Sequence, residues 1–425
     1  MKTKFKKILA LLLSVGLVLS AASCMMMPTA QNGGNTSSST RSSSKKKKDS
    51  SKSSKDSSKT SSKDDSSEAE TDYSELVDFV VDVDPTRNVR VLQLTDPQII
   101  DYSQAEPGSV SSIYAPEKKE EFCYRYIRQV VERYDPDLIL LTGDIVYGKF
   151  DHNGSAFTEF IDFMEEFETP WAPVFGNHDN ESAMGVDWQC EQLENAEYCL
   201  FEQRELTGNG NYTVGIVQGD KLQRVFFMMD SNGCSEMSAE SFANGHTSSS
   251  VGFGTDQVDW FIETAETIKE ESPKTKLSFA FHIQIEAFRY AYNVYSDYNN
   301  FTAFDLESNE DALSNGDFGY MGRGMKGAWD KTQTVWSSML ELGVDSIFVG
   351  HEHCNSASIV VDGVRLQFGQ KSSQYDRYNK WVNGNIVGDY DHQGEPIMGG
   401  TKITLSKTNG AIAGDTGLIL WEPEA

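Results

Sequence analysis

Seven side chains of the kind that hold metal ions stand at one kind of place in this sequence. Asp96 and Gln98 flank Pro97 in VLQLTDPQII, Asp144 closes LILLTGD, Asn177 follows Gly176 in APVFGNHD, His282 closes LSFAFH, and His351 and His353 bracket Glu352 in SIFVGHEH. Each segment follows at least four largely apolar residues. Carboxylate, amide oxygen and imidazole without thiolate suit Mn, Fe, Zn or Mg rather than a structural cysteine-zinc site. Two ions sharing one carboxylate need about this number of ligands. Gly143, Gly176 and Gly350 let the backbone turn tightly beside them. Singly, each fragment has a plainer reading: an Asp at a strand end as a turn or cap residue, His282 as a hydrogen-bonded core histidine, GHEH as a surface turn. The ordered set D-x-Q, GD, GNHD, H and GHxH is not expected by chance.

These segments need a scaffold that brings them together. VRVLQLTD reads as a strand, and PEKKEEFCYRYIRQVVERY as an amphipathic helix with Phe122, Tyr126, Ile127, Val130 and Val131 on one face. DPDLILLTGD is a buried strand, SAFTEFIDFMEEF a helix with Phe157, Phe160, Ile161, Met164 and Phe167 at helical spacing, and WAPVFGNHD a strand again. This alternation implies a parallel sheet covered by helices. Further on, YTVGIVQ and RVFFMMD read as antiparallel strands, and GTDQVDWFIETAETIKEE and DKTQTVWSSMLELG as helices. KLSFAFHIQ and DSIFVGHEH read as strands and SIVVDGVRLQFG as a hairpin, with late strands near Thr401–Ser406 and Gly417–Trp421. The fold class is α/β, a two-sheet sandwich with helices outside. Residues just past the carboxyl ends of strands meet in one crevice of such a sheet, so the five segments are expected to converge. The aromatic, Gly- and Asn-rich stretch 286–327 reads as an insertion, either a substrate-gripping lid or a small satellite core. Arg289, Arg323 and Lys326 within it are candidate phosphate contacts.

MKTKFKKILALLLSVGLVLSAASC has lysines before an apolar run from Ile8 to Leu19, then small residues up to Cys24. It reads as an export signal over 1–24. Its ending resembles a bacterial lipobox, with Ala21 where Leu is usual. Residues 25–71 are dominated by Ser and Lys and carry too little apolar surface to fold. They read as a tether between a lipid anchor and a globular domain over 72–425. The expected location is therefore the outer face of a bacterial cell membrane, or secretion if the anchor is absent. The chain has a formal charge of −27; residues 1–66 hold 13 Lys/Arg and 4 Asp/Glu, a net of +9, which leaves −36 on the rest. So acidic a globule argues against nucleic acid as a partner, and against a membrane contact other than the anchor. Five cysteines follow Cys24 without CxxC spacing, so buried free thiols are expected.

The ordered motifs resemble those of the calcineurin-like metallophosphoesterase superfamily, DxH, GD, GNH[DE], H and GHxH. The TGD, GNHDNES and VGHEHCN neighbourhoods resemble its plant class III purple-acid-phosphatase-like branch. The resemblance covers roughly Val89 to Gly369. It implies a four-layer αββα sandwich, two divalent or trivalent ions (Mn, Fe or Zn), and hydrolysis of phosphate esters, monoesters ahead of diesters. It also implies that Asp144 bridges both ions, that Asp96 and His353 serve the first, and that Asn177, His282 and His351 serve the second. His178 is then the residue facing substrate, as electrostatic stabiliser or proton donor, with Asp179 orienting it. Two cations lower the pKa of water held between them, so a hydroxide for in-line attack forms near neutral pH. Gln98 departs from the pattern, which has histidine there; its amide oxygen is a neutral donor long enough for the same slot. Tyr147 in GDIVY is the rival, because GDxxY occurs in purple acid phosphatases, where the tyrosine binds ferric iron. A different class of function also remains open: a cell-surface binding protein on the same scaffold, with activity lost through the change at Gln98.

Two divalent ions together with Asp96, Asp144 and hydroxide carry about +1 within an acidic globule. Screening acts over about 8 Å at physiological salt, so local charge governs capture while the wider field opposes approach. Moderate salt is expected to lower the KM for a multiply charged phosphate ester, measured by steady-state kinetics at graded NaCl. A flat or rising KM would count against this balance of fields.

Overall fold

The computed structural model describes residues 72–104, 119–234, 249–250, 252–297, 303–322, 332–372, 380–382, 385–387 and 398–422. The expected export signal, lipobox cysteine and tether lie outside the described residues, as do Pro116, Arg323, Lys326 and the side chain of Phe122. In chain order the strands of the two principal sheets are β1 (Phe79–Asp82), β2 (Val89–Leu94), β3 (Leu138–Thr142), β4 (Trp171–Val174), β5 (Tyr212–Gln218) and β6 (Lys221–Met228). They continue with β7 (Lys276–Ala280), β8 (Val344–Val349), β9 (Ser358–Val361), β10 (Val364–Phe368), β11 (Gly399–Leu405) and β12 (Gly417–Leu420). The helices are α1 (Lys119–Tyr134), α2 (Ser155–Glu165), α3 (Val186–Asn195), α4 (Thr255–Glu271), α5 (Ala287–Tyr295), α6 (Glu310–Asn315) and α7 (Thr332–Glu341).

The five-stranded sheet has the order β12-β11-β2-β3-β4, and the seven-stranded sheet the order β1-β5-β6-β7-β8-β10-β9. β2, β3 and β4 are parallel, as are β6, β7, β8 and β10. The expected hairpin β9–β10 and the antiparallel β5–β6 pair both form. Register brings strand ends level: Leu94 pairs with Leu141, Thr142 with Val174, and Phe348 with Ala280. Whatever follows these strands is therefore delivered to the same edge.

Side-chain alternation shows why both sheets are covered. On β6, Phe226 and Met228 join the core cluster shared with the five-stranded sheet, α1 and α2. Their neighbours Val225 and Phe227 join the other cluster, with Phe261, Ala265 and Ile268 of α4 and Val335, Trp336 and Met339 of α7. A strand with period-2 side chains that buries both sets has no solvent face. Each buried phenyl group contributes roughly 2–3 kcal/mol. This is the expected mixed sandwich flanked by helices. β1 was not foreseen; it adds parallel to β5, and Asp78, just before it, pairs with Arg204 and accepts from Thr213.

Within the anticipated insertion, α5 seats Phe288 and Tyr292 in the core. Their rings lie 4.8 Å from Phe368 and 5.6 Å from Phe304. The described part of 286–327 is thus continuous with the main core rather than a satellite of it, and Arg289 pairs with Glu286 at 2.6 Å. Cys123, Cys190, Cys199 and Cys354 are buried free thiols. Cys190 lies on α3, whereas Cys199 lies past its end, beside Trp171. Among the described residues no helix is long and apolar enough to cross a membrane.

The loop after β2 is tied to the start of α2 by one carboxylate. Asp101 accepts from the Ser103 amide at 2.8 Å, from Gln104 Nε2 at 2.6 Å and from the Ser155 hydroxyl. Burial opposes ionisation, but these hydrogen bonds outweigh it and lower the carboxyl to about 2. A folded pKa below the unfolded value gives stability that is present above pH 4 and is lost as pH falls through about 2. Asp101→Asn should therefore flatten the acid limb of the stability curve between pH 4 and 2, removing roughly 1 kcal/mol after solvent screening. Urea unfolding at pH 2, 4 and 7 measures it; an unchanged limb would show that the carboxylate contributes nothing.

Candidate metal centre

Each expected segment leaves a parallel strand and turns at once. Asp96, Asp144, His282 and His351 each stand two residues past the ends of β2, β3, β7 and β8, and Asn177 stands three past β4. The turns are forced ones. Asp96, Gln98, Asp144 and His351 have φ of +52°, +48°, +51° and +68°. Such left-handed conformations cost about 1–2 kcal/mol each outside glycine. Hydrogen bonds hold them: the Asp96 amide donates to the Gly143 carbonyl at 3.0 Å, that of Gln98 to the Asp144 carbonyl at 2.8 Å, and that of Gly350 to the His282 carbonyl at 3.0 Å.

The side chains converge. One ligand atom each from Asp96, Asp144 and His282 lie within 4.8 Å of one another. Asn177 Oδ1 lies 2.8 Å from His351 Nδ1 and 3.2 Å from His282 Nε2. His282 Nε2 is 3.3 Å from Asp144 Oδ1, and His353 Nε2 is 3.2 Å from Asp96 Oδ1. All seven expected ligands are thus in one network. Six are buried, and His351 is partly so.

The donor chemistry fits cations. His282 Nδ1 lies 2.8 Å from the Thr142 carbonyl oxygen, which can only accept, so Nδ1 carries the proton. In a neutral ring Nε2 then presents a lone pair toward the oxygens of Asn177 and Asp144. Three acceptors facing one another are unfavourable unless a proton or a cation lies among them. Without a cation the proton is the answer: burial would lower the His282 pKa, but the Asp144 and Asp96 carboxylates overcome it and raise it to about 9. Burial and the neighbouring His282 push His351 down to about 3, leaving a neutral ring with one nitrogen lone pair for a metal. Burial would raise Asp144, but His282 and His178 hold it well below the usual carboxylate range.

His178 is partly exposed, and its Nδ1 lies 2.9 Å from Glu181 Oε2. Burial lowers its pKa, yet the Asp144 and Glu181 carboxylates more than offset this and raise it. Asp179, expected to orient His178, instead accepts from the amides of Val146 at 3.0 Å and Gly176 at 2.7 Å. Burial and the Asp144 charge raise it to about 7. The orienting carboxylate is Glu181, whose i+3 spacing from His178 on one helical turn was the available clue. The ring of Tyr147 lies on that of His178, with centroids 4.1 Å apart. Gln98 is fully buried; its Nε2 donates to Asp144 Oδ2 at 3.2 Å, and its Oε1 accepts from Lys371 Nζ at 2.9 Å. Lys371 was not foreseen, because a lone lysine in GQKSS reads as a solvated turn residue.

A sequence model of the calcineurin-like phosphoesterases matches residues 89–355, the span that carries all seven of these residues. The chain belongs to this family. Calcineurin-like phosphoesterases bind two metal ions, and Asp96, Asp144 and His282 form the candidate site in this member. The chain is 23% identical over 235 residues to phosphatase DCR2 of Saccharomyces cerevisiae, covering 54% of this chain and 38% of the yeast protein. It is 39% identical over 106 residues to "probable inactive purple acid phosphatase 28" of Arabidopsis thaliana, covering 22% of this chain and 27% of that one. It thus spans well under half the length of these two relatives. Among solved structures, a dimetal phosphatase from Danio rerio aligns with a TM-score of 0.43 at 11% identity, over 74% of this chain and 92% of its own. Purple acid phosphatase PPD1 from yellow lupin (Lupinus luteus) seeds aligns at 0.39 and 14% identity, over 77% and 53%.

Gly176 tests whether this packing is needed. A Cβ there would lie 2.2 Å from Asp144 Oδ1 and 2.4 Å from the Asp144 amide nitrogen. Gly176→Ala should displace the shared carboxylate and lower metal content to below half the wild-type value, measured by elemental analysis of protein with an unchanged circular dichroism spectrum. Full metal content in this variant would show that Asp144 is not a ligand.

Proposed function

We propose that this phosphoesterase is an exported hydrolase of phosphate monoesters that works with two metal ions. The observation that carries the reading is the approach of His282 Nε2 to both Asn177 Oδ1, at 3.2 Å, and Asp144 Oδ1, at 3.3 Å, beside the partly exposed, carboxylate-paired His178. Asp96, His353 and Asp144 would hold one ion, and Asp144, Asn177, His282 and His351 the other. When bound, the pair supplies Lewis acidity toward phosphate oxygens and lowers the pKa of water. The chain's own residues do the rest. The Thr142 carbonyl fixes the His282 tautomer and aims its Nε2 inward. Glu181 holds the proton on His178 Nδ1, which leaves Nε2 to donate a proton to the departing alcohol oxygen. The preference for monoesters is supported by the phosphatase names of the relatives, and export by the lysine-led apolar start of the sequence.

A second reading, a binding protein with little turnover, is favoured by Gln98 and by the inactive label on a plant relative. Metal analysis combined with assays on p-nitrophenyl phosphate and bis-p-nitrophenyl phosphate separates the two. Two ions with turnover of the monoester supports the hydrolase; metal-free, inert protein supports the binder. Asp144→Asn should lose both ions and activity. His178→Ala should keep its metal and lose about 100-fold or more in kcat. Glu181→Gln removes one of the two carboxylate charges that raise the His178 pKa, so the alkaline limb of kcat should move to lower pH. An unmoved limb would exclude His178 as the proton donor.

A further inference from the structure

Lys371 lies beyond the residues matched by the family model, in the turn Gly369–Ser372 that follows β10. This turn is stitched against the metal centre. The Gly369 amide donates to the Val349 carbonyl at 2.8 Å and the Ser372 amide to the Thr95 carbonyl at 2.9 Å. The Thr95 amide donates in return to Ser372 Oγ at 3.1 Å. The Lys371 side chain is buried, 1% exposed, and its Nζ donates to the Asp96 carbonyl at 2.9 Å and to Gln98 Oε1 at 2.9 Å.

An ammonium has donors only. Its partner on Gln98 must therefore be the amide oxygen, which fixes the orientation of an otherwise ambiguous amide. The NH2 group is then turned to Asp144 Oδ2, at 3.2 Å. An amide NH2 has no lone pair to offer a metal. Rotating it would bring the NH2 against the ammonium and turn the oxygen onto a carboxylate.

We propose that Lys371 and Gln98 form a hydrogen-bonded clasp in the place of a metal-ligating imidazole. Gln98 is then a positioning residue that donates to Asp144 and not a ligand, and Lys371 puts a fixed positive charge beside Asp96. The consequence is two unequal metal sites: the one built on Asn177, His282 and His351 is tight, and the one built on Asp96 and His353 is weaker. This rests on the two-metal reading above.

The test is titration of chelator-stripped full-length protein with Mn(II), with free ion and spin-coupled pairs read by electron paramagnetic resonance. Wild type should bind one ion tightly and a second on the order of 10- to 100-fold more weakly, a range typical of changes just outside a ligand shell. Lys371→Met should tighten the second site by about tenfold, and Gln98→His with Lys371→Met should tighten it further, so that the coupled-pair signal forms at lower Mn(II). Two wild-type sites of equal affinity would overturn the proposal without touching the phosphoesterase reading, as would a Lys371→Met protein whose second site is unchanged or weaker. The wild-type comparison needs no variant, so it decides even if Lys371→Met fails to fold. Wild type that binds no Mn(II) at all would overturn the two-metal reading and the clasp with it.

Discussion

A carboxylate with almost no access to water sets the terms for the centre of this molecule. Asp144 is 1% exposed, and a buried anion is tolerated only when donors or cations surround it. They come from three loops. The His178 amide reaches Oδ1 at 2.8 Å, Gln98 Nε2 reaches Oδ2 at 3.2 Å, and the His282 ring lies 3.3 Å from Oδ1. Gly176 stands so close that no side chain fits between. Satisfying this one group requires the ends of β2, β3, β4 and β7 to lie together, and the strand registers bring them there.

The same need explains where the backbone is strained. Of the nine described residues other than glycine with positive φ, four are Asp96, Gln98, Asp144 and His351. A relaxed turn at any of them would point its side chain elsewhere. The conformations persist because the strands leading into them are buried on both faces, and a rigid scaffold can hold a strained loop that a flexible one would release.

Much of this was legible in the residues. The period-2 apolar runs named the strands, and the polar residue immediately after each named the site, because a strand that ends in a ligand writes both facts into adjacent letters. What could not be read was carried by contacts between distant segments. The bond from Lys371 to Gln98 joins positions 273 apart, and nothing local distinguishes that lysine from a surface one. Asp179 follows His178 directly, and the family resemblance implies an orienting role for it. The turn that starts at Asp179 sends its carboxylate to the backbone and brings Glu181 round to the imidazole. β1 was missed because a four-residue run, FVVD, has too few residues for its period to show. The aromatic stretch near α5 was ambiguous because burying rings in the main core and building a small separate cluster need the same composition.

The donors at the centre come from both halves of the sandwich. Asp96, Asp144 and Asn177 follow strands of the five-stranded sheet, while His282, His351 and His353 follow strands of the seven-stranded one. Ions held among them would act as rivets across a seam that is also joined by apolar packing and by buried hydrogen bonds such as those of Gln93 with Val349 and Gln367. Chemistry and cohesion would then be inseparable here: whatever strips the metal would also loosen the join, and such a protein would be sturdiest when it is ready to work.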